Sequence, residues 1–216
     1  MSDADRAVAM ARSVVRAARA HGLPPNGIDL LSRAHALAMK PRVDALGDDH
    51  HPAYLHPGRS VLVLLRDVGP LPADILASAA VHDTEDDDLR VPMATVRETL
   101  GDEVADIVES LPLPGDEHLT ERLVTLDEGP RLAALAERLD HLRHAHLHED
   151  PDPAWWRAIH EEAGAAWLPV AERTNARLAT RYRHWHRTFG RRLTRMEGSP
   201  TTGTPPSPLP RNSSGL

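Results

Sequence analysis

Apolar residues recur at three- and four-residue spacing along most of the chain, and no segment sustains the strict alternation of a half-buried strand. Good helix formers, chiefly Ala, Leu, Arg and Glu, fill these segments. The spacing predicts helices over 4–21, 27–40, 57–67, 72–85, 92–99, 102–111, 118–127, 130–147 and 153–193, the last broken near Pro169. Pro72 stands where a first helical turn tolerates it, ahead of ADILASAAVHD, and Asp102 after Gly101 is a predicted N-cap. The stretch 43–57, VDALGDDHHPAYLHP, is rich in Gly, Asp, His and Pro without a period, and is expected to be a loop. From Gly198 onward, GSPTTGTPPSPLPRNSSGL lacks the apolar residues that offset ordering entropy, so a disordered C-terminal tail is expected. The pattern therefore predicts an all-α helical bundle: a domain over 27–194, an N-terminal helical extension over 1–26 and a tail over 195–216.

Composition narrows the chemistry. The 216 residues, 41% of them hydrophobic, suffice for one domain with a proper core. Cysteine is absent, which excludes disulfides, thiolate metal sites and cysteine nucleophiles and leaves His, Asp and Glu to hold any metal. The first twenty residues scatter arginines among alanines and do not read as a secretory signal, and no stretch is apolar enough to span a bilayer. A cytoplasmic location is the resulting expectation. A net charge of −7 argues against nucleic acid as a partner. Acid gathers over 83–88 and 102–106, base over 173–195, and Lys40 is the one lysine.

The stretch AAVHDTEDDD, residues 79–88, carries the most chemistry. A small apolar run delivers His82 and Asp83 toward the core end of a helix, where an ionised Asp is costly unless it is paired or bound to a metal. Acid at a helix C-terminus also opposes the macrodipole, so the run calls for a compensating cation. Two ligands do not suffice. Further candidates are His35 in SRAHALAMK, His56 in AYLHP, and Glu137, Asp140 and His141 in RLAALAERLDHLR, whose three- and four-residue spacing puts pairs on one helix face. The bland alternative makes Glu137 and Arg138 a solvated face. For His144, His146, His148, His184 and His186 the expectation is solvated surface histidine.

In order, YLHP, AAVHDTEDDD, ETLGDEVADIVESL and RLAALAERLDHLR resemble the HD-domain hydrolases of the RelA/SpoT type, including the small stand-alone enzymes that hydrolyse guanosine tetra- and pentaphosphate alarmones. The likeness runs from about Leu30 to Leu193, and TNARL is similar to a stretch of those enzymes' last helix. The resemblance implies an HD-domain bundle with His56, His82, Asp83 and Glu137 as metal ligands; the family has Asp where this chain has Glu137. It implies Asp86 and Asp87, or Glu85 with a one-residue shift, as the acidic pair that positions water and handles protons. It implies Lys40, Arg42 and His141 as substrate contacts, with His141 standing where many relatives carry Asn.

The expected activity is metal-dependent hydrolysis of a phosphate ester, with manganese suited to mixed imidazole and carboxylate ligands. The expected substrate is the 3′-pyrophosphate of a guanosine alarmone. Two other readings stand beside it: an HD hydrolase of another phosphorylated metabolite, and a catalytically dead scaffold that binds a nucleotide or a protein.

Overall fold

The computed structural model describes residues 3–45, 53–83, 87–147 and 152–197, all-α and without a strand among them. The tail from Gly198 lies outside the described residues. The first elements are α1 (Asp3–Ala20), α2 (Pro25–Ala45), α3 (His56–Val63) and α4 (Ala73–Val81). The short pair α5 (Met93–Leu100) and α6 (Asp102–Ser110) leads to α7 (Leu119–Thr125) and α8 (Glu128–His144). The chain closes with α9 (Pro153–Glu162), α10 (Leu168–Thr174) and α11 (Ala176–Glu197). No helix among the described residues is long and apolar enough to cross a membrane.

Helix α8 is the centre of the bundle. Every residue from Leu132 to Leu142 is buried, so the helix has no solvent face over this stretch, and α3, α4, α6, α7, α10 and α11 all pack against it. The small residues Ala77, Ala79 and Ala80 of α4 let that helix lie close to α2, its most extensive neighbour. The N-terminal segment is no peripheral extension: Val14 and Ala18 of α1 belong to the same hydrophobic core as α8.

Several boundaries depart from the sequence pattern, each for a local reason. Helix α2 continues through Pro41 to Ala45, shortening the expected 43–57 loop from its start. The Arg42 guanidinium donates to Ala38 O at 2.6 Å, occupying a carbonyl beside the bond that proline cannot make. Residues 46–52 lie outside the described residues, and His56 already opens α3. Asp102 is not the cap of α6; that position is Gly101, whose φ of 97° suits glycine, while Asp102 in the first turn pairs with Arg97 at 2.7 Å. The break in the last helical stretch falls at Asn175, not at Pro169. Pro169 is absorbed at the start of α10, directly after a π-helical turn over Ala163–Trp167. Asn175 is extended, and its Oδ1 accepts from Arg177 N at 3.0 Å and Leu178 N at 3.1 Å, an N-cap for α11. That helix runs to Glu197, past the expected helix end at 193.

Replacing Asn175 with Ala removes this cap and is expected to cost about 1 kcal/mol, whereas Asp should retain most of it. Thermal unfolding followed by circular dichroism measures the difference.

Candidate metal centre

His56 occupies the first helical position of α3, with Pro57 behind it where a missing N–H costs nothing. The α3 backbone is pressed against α1 and α2 at Gly58, where a Cβ would collide with Met10 and stand 3.1 Å from His35 Nε2. His82 caps the C-terminus of α4: its N–H donates to Ser78 O at 2.9 Å and its backbone then turns extended, which carries Asp83 inward. Both residues are buried, as the apolar run before them predicts. Glu137, Arg138, Asp140 and His141 come from α8 and are buried as well, so the solvated-face alternative for Glu137 and Arg138 does not hold.

His56, Glu137 and His141 form a compact buried group that can hold a metal ion, with one donor atom from each lying within 4.8 Å of the others. Glu137 Oε1 lies 3.0 Å from His141 Nε2 and 3.5 Å from His56 Nε2. The two imidazoles stack with centroids 3.9 Å apart. His82 Nδ1 lies 4.0 Å from Glu137 Oε2, and Asp83 Oδ1 lies 3.6 Å from His141 Nε2. The four expected ligands and His141 therefore gather in one place. Spacing offered His141 as a candidate ligand and the resemblance implied a substrate contact; the structure places its Nε2 among the donor atoms.

Arg42 points inward rather than toward solvent. Its guanidinium pairs with Asp83 Oδ2 and donates to Ala53 O at 3.0 Å and Ala38 O at 2.6 Å. Lys40, two residues earlier, is exposed on α2 and belongs to none of these contacts. Glu85 and Asp86 lie outside the described residues, as does the side chain of Asp87. Two participants gave no signal beyond their spacing. Asp140 accepts from Arg59 Nε at 2.9 Å and lies 2.9 Å from His56 Nδ1, so it orients that ring with Nε2 toward Glu137. Arg59 sits three residues after His56 and Asp140 three after Glu137, the helical spacing that brings such neighbours onto adjoining faces.

The charges of the group are set by their neighbours. Burial pushes the Glu137 carboxyl up, but the charge and hydrogen bond of His141, joined by His56 and His82, outweigh it and hold the carboxyl well below the usual carboxylate range. Asp140 behaves alike: burial is outweighed by the His56 hydrogen bond and the Arg59 charge. Burial lowers His82 despite Glu137 and Asp83, which keeps it neutral and able to donate a lone pair. His82 Nδ1 has no hydrogen-bond partner among the described residues. Among the histidines expected at the surface, His186 instead stacks on His160 at 3.9 Å, and His144 Nδ1 lies 2.8 Å from Asp140 O.

Removing Arg42 leaves the buried Asp83 uncompensated. Arg42→Met is expected to cost about 3–5 kcal/mol in urea unfolding, and the double variant Arg42→Met with Asp83→Leu should recover much of the loss. A second expectation concerns acid. Burial, helped by the Arg42 charge, lowers His35 to about 4. The unfolded chain takes up that proton first, so stability is full above about pH 6.5 and declines as pH falls toward 4, by about 3 kcal/mol for this residue. A pH series of urea titrations should show a shallower decline for His35→Gln than for the parent.

Compared with protein-family models and with curated proteins, the chain matches none.

Proposed function

We propose that this chain is a metal-dependent phosphohydrolase of HD type, with His56, His82, Asp83 and Glu137 as the ligands of a divalent cation and His141 beside them. The observation that carries the reading is the convergence of imidazoles and carboxylates from α3, the end of α4 and α8 at one buried point. The donors fit such an ion: oxygen and imidazole nitrogen without thiolate, a carboxylate held ionised, and a buried imidazole nitrogen on His82 with no other partner among the described residues. Mixed ligands of this kind suit manganese. When bound, a divalent cation supplies an acidified water and a polarised phosphoryl oxygen.

The chain's own residues supply the rest. Asp140 fixes the ring of His56, and Arg42 fixes Asp83. Asp86 or Asp87, in the acidic run after Asp83, aligns the attacking water or relays its proton. Lys40, exposed on α2, serves as a point charge for phosphate. Arg42 is assigned the structural task in place of a phosphate contact, because its donors are spent on Asp83 and on carbonyls. The likeness to RelA/SpoT-type enzymes makes the 3′-pyrophosphate of guanosine tetra- and pentaphosphate the leading substrate.

One observation favours a second reading. The Arg42 pair already neutralises Asp83 without any cation, as a catalytically dead scaffold would require.

Metal analysis of protein purified without chelator, then a manganese-supplemented assay of pyrophosphate release from guanosine tetraphosphate beside other phosphorylated metabolites, separates the two. Bound metal and turnover, both lost in His82→Ala and Glu137→Ala, are the expected result, and Asp140→Asn should weaken metal binding about 10- to 100-fold. Metal with turnover of a different phosphate ester keeps the hydrolase and changes its substrate. Neither metal nor turnover leaves the scaffold.

A further inference from the structure

Helices α1, α3, α8 and α11, with the turn after α3, surround a cavity of about 580 Å³. That lies inside the range of small-molecule sites, about 300–1,000 Å³. Five arginines line it: Arg6 from α1, Arg59 from α3, Arg66 from the following turn, Arg143 from α8 and Arg181 from α11. Only two carboxylates face them. Asp140 is taken by Arg59 and His56, and Asp67 by Arg181 at 3.1 Å. Two of the five guanidiniums are thereby paired within the lining. Arg66 and Arg143 form no ion pair with a carboxylate among the described residues, and both are exposed. Guanidiniums brought together from several elements repel one another unless an anion lies between them.

We propose that this cavity is a binding site for a compact, multiply charged phosphate anion of the inorganic pyrophosphate class, separate from the metal-capable group. The separation follows from the ring of His56. Its Nε2 edge faces Glu137 at 3.5 Å, whereas its Nδ1 edge faces Asp140, and Asp140 lines the cavity. The imidazole and the Asp140 carboxylate therefore stand between the cavity and the donors of Glu137 and His141. Guanidinium forks match phosphate oxygens two at a time and keep their charge at every physiological pH. The two guanidiniums without a carboxylate partner among the described residues, Arg66 and Arg143, match a multiply charged anion better than a monocarboxylate, and the arginines of the lining come from five elements rather than from one solvated helix face. This site does not depend on the hydrolase reading.

The test is isothermal titration of the full-length protein with sodium pyrophosphate at constant ionic strength, after treatment with chelator to strip metal. Saturable binding is expected. The double variant Arg66→Ala with Arg143→Ala, both exposed and remote from the core, should weaken it by at least about tenfold, since charge-assisted hydrogen bonds contribute about 1.5–3 kcal/mol each. Arg187→Ala with Arg191→Ala makes the same change in net charge on α11 outside the cavity and should leave the affinity unchanged. An equal loss in that control would mean diffuse charge attraction and overturn the site. So would an absence of binding, or binding that appears only when manganese is restored, which would place the anion on the metal group instead.

Discussion

Four ionisable residues of α8, Glu137, Arg138, Asp140 and His141, lie within five positions of one another on the stretch of that helix, Leu132 to Leu142, that has no solvent face. A charge removed from water is tolerated only when it is paired and hydrogen-bonded, and this requirement orders the rest of the bundle. Glu137 draws in His56, His82 and His141. Asp140 draws in Arg59 and, through the other edge of the same imidazole, His56. On the opposite side Arg138 reaches Glu162 Oε1 at 3.2 Å, and the same oxygen accepts from Trp167 Nε1 at 2.9 Å. Tyr182 closes α11 onto α8 by donating to Leu135 O at 2.7 Å. The helices that pack on α8 are thus tied to it by polar contacts as well as by leucine.

The same pairing shapes the chemistry of the centre. A carboxylate ringed by imidazoles stays ionised despite its burial, and an imidazole pressed into an apolar core stays neutral; both are the protonation states in which these groups donate electron pairs. Asp83 is held from two directions, by Arg42 across the α2 side and by the turn out of α4, with Arg90 Nε donating to its carbonyl at 2.7 Å. Its position is therefore set by the fold before any ligand arrives. Two groups of arginines stand out. Arg42 and Arg138 are interior counter-ions, whereas Arg66, Arg143 and Arg181 line a solvent-facing cavity.

Local irregularities place these parts. The π-helical turn over Leu64–Val68 ends at Gly69, with φ of 118°, and presents Arg66 and Asp67 on the cavity side. A second one over Ala163–Trp167 lets the chain pass Pro169 and sets Trp167 against Arg138. Between them the last two helices settle as a hinge at Asn175 dictates, not as one long rod.

By itself the sequence determined the all-α class, the approximate extents of the helices, and His82 and Asp83 as a buried pair with His35, His56, Glu137, Asp140 and His141 as open candidates beside it, because three- and four-residue periodicity and a costly buried His-Asp pair are local properties that a linear pattern records. The apolar run before His82 foretold its burial. Only the tertiary structure decided the direction of Arg42, the membership of His141 in the metal-capable group, the support of His56 by Asp140 and Arg59, and the gathering of five arginines from five elements around one cavity. Each of these depends on which helices meet and at what rotation, a relation between residues as far apart as Arg6 and Arg181 that no local spacing encodes. The break at Asn175 belongs with them: Trp167 and Val170 are buried ahead of it, and its Oδ1 caps α11.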